Sequence, residues 1–223
     1  QGSFQVRDNA KASANYSLHD YGQVVRAGRI ARRMVVFPNS VDKAIWVVDI
    51  DSLTSVPLLI AEFDNLYRLR ANIEVLTFTS SVQVITPTVP SFNVTPMTDF
   101  PMAEAFLGNP SGLVDPNVMV TSEYSLETVE IYDDPINGRQ KLVMSYSDGI
   151  DQFTVAQTLN SPDPFATLPS SVGGAHTIGR FRDAALSALV FWDDQVAFHV
   201  AGRGSLRRLD QVASRIYLQA LSN

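Results

Sequence analysis

The strongest constraint on this chain is punctuation. Short runs of β-branched and aromatic residues are cut, one after another, by proline, glycine and paired aspartates. Arg33-Met34-Val35-Val36-Phe37 stops at Pro38-Asn39-Ser40, and Ala44-Ile45-Trp46-Val47-Val48-Asp49-Ile50 follows with strand composition. Ser125–Tyr132 and Lys141–Tyr146 flank Asp133-Asp134-Pro135-Ile136-Asn137-Gly138, where Asn-Gly is a hairpin signal. Gln152–Ala156 is a further strand. Ala185–Trp192 and Gln195–Val200 sit either side of Asp193-Asp194, which suits a tight antiparallel turn. Leu59, Phe63, Leu66 and Tyr67, behind Pro57, match helical spacing and predict a helix, leading into a strand over 70–79. A short helix is expected at Met102–Leu107. Residues 206–221 fit a helix with arginines on its outer side, or an extended tail.

These runs predict an all-β chain: an eight-stranded antiparallel jelly-roll sandwich with short helices in its loops and an extended N-terminal arm. Strands do not alternate with long helices, so a doubly wound sheet is disfavoured. Three parts are expected: a basic arm over 1–33, a jelly-roll domain over 34–205, and a tail or short helix over 206–223. The proline-rich stretch 87–116 is long enough to suggest a functional or interface loop, and 160–176 forms a second long loop.

The charge is uneven. Residues 1–33 carry six basic and two acidic groups, residues 34–175 five and seventeen, and residues 176–223 six and four. A basic arm on an acidic body can touch phosphate non-specifically but is no sequence-reading DNA domain. The 14 arginines against 3 lysines suit bidentate contacts between packed surfaces.

The absence of cysteine removes disulfide scaffolds, thiol nucleophiles and iron–sulfur sites. No apolar run approaches a bilayer span. His19, His176 and His199 lie far apart in sequence, outside metal-ligand spacing. Asp49 and Asp51 share one strand face and could hold a cation, though a structural role is the plainer reading. Neither a phosphate loop nor a nucleophile elbow is present. No catalytic residue, metal or cofactor is therefore assigned, and the chain reads as a non-enzyme.

Three segments together resemble the capsid proteins of picorna-like RNA viruses, in particular those of the insect dicistroviruses and iflaviruses. They are the passage Ala61–Val75, the strand Ala44–Ile50, and the ending Val196-Ala197-Phe198-His199-Val200-Ala201-Gly202-Arg203-Gly204-Ser205-Leu206. The first is similar to that family's passage from a short helix into its fourth jelly-roll strand. The last is similar to its final strand and Gly-rich turn. The resemblance implies a structural subunit that assembles with related coat proteins into an icosahedral shell around RNA. It implies a virion location, reached by assembly in the host cytoplasm, with other coat proteins, non-specific genomic RNA and a host receptor as partners. The arm would supply Arg7, Lys11, Arg26, Arg29, Arg32 and Arg33 toward RNA. Candidate subunit contacts are Phe92, Met97, Phe100, Phe106, Phe165, Arg207, Arg208 and Arg215.

The alternative reading is a non-catalytic β-sandwich binding module, such as a carbohydrate-binding or phage tail component. It expects surface aromatics, with Tyr124, Tyr132 and Tyr146 as candidates for a ligand face.

Overall fold

A computed structural model describes residues 6–41, 43–78, 93–116, 123–133, 138–160, 179–182, 187–193, 196–203 and 206–220. The chain divides into two compact units, residues 1–90 and 91–223. This differs from the expected boundaries at 33/34 and 205/206.

The first unit opens with helix α1 (Asn9–Asn15), whose N-cap Asp8 accepts from Lys11 N. Five strands follow: β1 (Tyr16–Arg26), β2 (Arg29–Pro38), β3 (Ile45–Asp51), β4 (Pro57–Phe63) and β5 (Leu69–Glu74). Each pairs antiparallel with its sequence neighbour, in the order β1-β2-β3-β4-β5. The arm expected over 1–33 is thus built into the sheet. Beyond a short ordered piece expected at Gly22–Val25, β1 carries little strand signal, because its side chains from Ser17 to Gln23 are exposed and leave little apolar alternation to read. The β1–β2 hairpin turns on Ala27 and Gly28, both at positive φ, without the asparagine that usually marks such a turn.

The helix expected behind Pro57 is strand β4. Its residues 58, 59, 61 and 62 are buried, and Leu59, Ile60 and Ala61 pair with both β3 and β5. A short apolar run buried on both faces mimics helical spacing, and strand pairing decides between the two.

The second unit contains β6 (Asn93–Met97), helix α2 (Phe100–Phe106), β7 (Ser125–Asp133), β8 (Gln140–Ser147) and β9 (Gln152–Thr158). It continues with β10 (Gly179–Arg182), β11 (Ser187–Asp193), β12 (Val196–Gly202) and helix α3 (Leu206–Ala220). The sheet is antiparallel, with order β10-β11-β12-β9-β8-β7-β6. The expected strands over 125–132, 141–146 and 152–156 are present, the one expected over 195–200 is strand over its described residues 196–200, and 206–220 is helix.

One face of this sheet carries Ile131, Leu142, Met144, Val155, Leu189, Phe191, Phe198 and Val200. It is covered by α3 through Leu209, Val212, Ala213 and Ile216, and by Phe100 and Ala103 of α2. Phe191 stacks on Phe198 at 4.9 Å and meets Tyr217 of α3 edge-on at 6.0 Å. The buried Gln157 amide clamps Val114: its Oε1 accepts from Val114 N at 2.9 Å and its Nε2 donates to Val114 O at 2.6 Å. Gly202 lies opposite Phe153, and a Cβ there would sit 2.6 Å from the Phe153 Cβ.

The all-β class holds, but the strand order is not that of an eight-stranded jelly roll. A jelly roll crosses repeatedly between two facing sheets, whereas the first sheet is a simple meander. The second sheet joins the β6-β7-β8-β9 meander to β12.

Candidate functional site

The strands of the first unit sort their side chains by register, because directly opposed residues share a face and alternate residues do not. One face carries Arg26, Arg29, Arg33, Asp49, Asp51 and Glu74 toward one end of the sheet. The other face carries Met34, Val48, Ile60 and Ile73 as one row across β2 to β5, continued by the opposed pair Val25 and Ile30.

The charged face is an arginine–carboxylate lattice. Asp49 is fully buried. It accepts from Arg26 Nε at 2.7 Å and from Arg33 Nε and Nη2, both at 2.7 Å. Burial pushes its pKa up, but the hydrogen bonds from Arg33 and then Arg26 outweigh it and hold the carboxyl below its ordinary value. Arg26 Nη1 also donates to Glu74 Oε1 at 2.9 Å. Asp51 receives a bidentate pair from Arg29, at 3.0 and 2.7 Å, together with Thr54 N and Oγ1. The Arg29 bonds first, and those of Thr54 second, hold its carboxyl far below the carboxylate range. Arg29 also lies 4.5 Å from the Phe78 ring centroid. Asp49 and Asp51 do share a face, and their cations are guanidinium groups. Among the described residues, no group of three or more His, Cys, Asp or Glu side chains could hold a metal ion.

The expected phosphate-facing residues are therefore engaged with carboxylates. Arg26, Arg29 and Arg33 belong to the lattice, Arg32 pairs with Asp20, and Lys11 pairs with Asp8 at 3.7 Å. Arg7 is exposed ahead of α1. The described members of the expected subunit contacts fall in different settings. Phe100 is core, Met97 packs against the core, Phe106 is exposed, and Arg215 is exposed on α3. Arg207 and Arg208 lie in the first turn of α3. Phe92 and Phe165 lie outside the described residues.

The expected aromatic ligand face does not form. Tyr124 and Tyr146 are buried against Phe153, at 5.1 Å each, and Tyr132 donates to Glu130 at 3.0 Å.

The apolar face of the first sheet was missed by sequence reasoning. Val25 is 72% exposed, Ile30 55% and Ile73 60%, with Met34, Ile50 and Ile60 partly exposed among them. Val48 in the same row and Trp46 on the same face are buried, so the exposed apolar side chains lie at the margins of this face, where such residues are candidates for an interaction surface. Its signal was Val24-Val25 and Ile30 within the supposed arm.

The architecture is that of a two-unit antiparallel β protein, and the solved structures similar to it include three of MucB. A crystal structure of MucB in complex with MucA(peri) is 15% identical, with a TM-score of 0.61, covering 94% of this chain and 70% of that one. The complex structure of Pseudomonas aeruginosa MucA/MucB is 16% identical, with a TM-score of 0.60, covering 95% of this chain and 68% of that one. A crystal structure of MucB is 16% identical, with a TM-score of 0.55, covering 94% and 65%. At this identity the likeness is one of fold. No family model and no curated protein matches.

These neighbours overturn the capsid reading. The segments that suggested a coat protein lie in a fold shared with MucB structures and not with capsid proteins, so the shell, RNA and receptor partners and the virion location fall with that reading. Strand composition alone cannot separate two β architectures, because both demand the same short, half-buried runs. Among the described residues no helix is long and apolar enough to cross a bilayer.

Proposed function

We propose that this chain is a non-catalytic binding module whose ligand is a segment of another polypeptide, seated on the apolar face of the five-stranded sheet. The observation that carries this reading is the exposure of Val25, Ile30 and Ile73 at the margins of that face, with Ile60 partly exposed beside Ile73. An extended or helical segment with apolar residues at regular spacing would bury that face. Support comes from the fold, since a MucB structure of similar architecture was solved with MucA bound. Buried Tyr124 and Tyr146 argue against a stacking platform for sugars.

The test is site-specific photo-cross-linking in the source cells, with the cross-linker placed at Ile30, at Ile73, and at Leu53, which lies in a loop with 85% exposure. A polypeptide adduct at Ile30 and Ile73 but not at Leu53 is expected. The absence of polypeptide adducts at both sheet positions, or equal labelling at all three, would overturn the proposal.

A further inference from the structure

Arg26 and Glu74 stand on the two outer strands of the five-stranded sheet, β1 and β5, yet their side chains meet at 2.9 Å. Four strand spacings separate those strands, about 19 Å in a flat sheet. That exceeds the combined reach of an arginine and a glutamate. The register widens the gap further. Glu74 lies in the row of Leu59, Asp49 and Arg33, while Arg26 lies opposite Arg29 at the hairpin end. The contact therefore requires a sheet curled so that its charged face is concave and diagonal corners approach. Three irregularities supply the bend. β1 breaks register between Asp20 and Gln23, where Gly22 has φ +82 and its N–H is held by Asp20 Oδ1; the β3–β4 pair shifts between Asp49 and Ile50, and the β4–β5 pair between Glu62 and Phe63.

We propose that Arg26 is a latch across the concave face of this sheet. It is anchored at its Nε to the buried Asp49 and closed at its Nη1 on Glu74 of the far strand. The anchor is dry, since Asp49 is fully buried. The catch is wet, with the Arg26 and Glu74 side chains 30% and 34% exposed. The catch can therefore open while the anchor holds, and opening flattens the sheet. The outward face carries Val25, Ile30 and Ile73 at the same two corners, so the latch also sets the spacing of those apolar side chains.

Hydrogen exchange on the full chain tests this, because a latch makes a change on β5 felt on β1. Glu74→Gln is expected to speed exchange of the Val24 and Arg26 amides, which face β2, about fivefold. Strands β7, β8 and β9 should be unmoved. In the unaltered chain, raising salt to about 1 M should reproduce that acceleration, because the Debye length falls to roughly 3 Å. Salt should add nothing further in Glu74→Gln. Asp20→Asn, which breaks the Arg32 pair between the neighbouring strands β1 and β2, should leave the β5 amides unchanged. The latch is overturned if the β1 amides ignore Glu74→Gln, or if every amide of the first unit accelerates alike, which would mark general destabilisation.

Discussion

Asp49→Ala is the sharpest probe of the buried lattice. The carboxylate takes three hydrogen bonds of 2.7 Å from two guanidinium groups. Charge-assisted bonds of this kind each contribute about 1.5–3 kcal/mol when intact. Their loss also leaves two cations facing each other without the anion between them. Breaking a fully buried pair typically costs about 3–5 kcal/mol. Here the Arg26 and Arg33 side chains keep 30% exposure, so water recovers part of the loss. Arg26 also retains Glu74. The net cost is then about 2–3 kcal/mol. The assay is urea unfolding read by tryptophan fluorescence. Trp46 and Trp192 are the chain's two tryptophans and fall one in each unit, so a Trp192→Phe background reports the first unit alone. The midpoint should fall with little change in slope. Asp20→Asn, which weakens an exposed pair and keeps the oxygen that accepts from Gly22 N, should leave the midpoint within error. Equal midpoints for Asp49→Ala and the parent would refute the reasoning, as would a shift matched by Asp20→Asn.

Other outcomes follow from the same contacts. Asp49, Asp51 and Asp64 have folded pKa values below the ordinary 3.8, so they add stability that is complete above that value and is lost as pH falls below it. An acid titration of Trp46 fluorescence should show the loss beginning near pH 4, and Asp51→Asn should flatten the curve. Gly202→Ala forces a Cβ against Phe153 and should cost about 1–3 kcal/mol, read by Trp192 in a Trp46→Phe background. Gln157→Leu leaves the buried Val114 N–H and C=O without the amide and should cost about 1–3 kcal/mol in the same assay. Ala27→Asn should stabilise the first unit by up to about 1 kcal/mol, since asparagine tolerates the left-handed turn position that alanine holds at φ 48. An unchanged or lowered midpoint would reject that assignment of the turn.

The residues alone determined the class of fold and most of its strands. Runs such as Ala44–Ile50 and Lys141–Tyr146 are short, β-branched and bounded by breakers, and strand propensity with turn chemistry is local information. The α3 face at Leu209, Val212, Ala213 and Ile216 is likewise local, set by helical period. Tertiary structure decided the rest. β1 became a strand because β2 offered a partner edge, although its own outward side chains are polar or exposed. β4 became a strand because β3 and β5 flank it, although its apolar spacing suits a helix equally well. The arginines of residues 26–33 look like a free basic arm in sequence, because Asp49, Asp51 and Glu74 lie 16 to 48 residues away along the chain. Which carboxylate neutralises which guanidinium, and which sheet face stays open, depends on register and curvature. Those are set by long-range pairing, about which a list of neighbours in sequence carries no information.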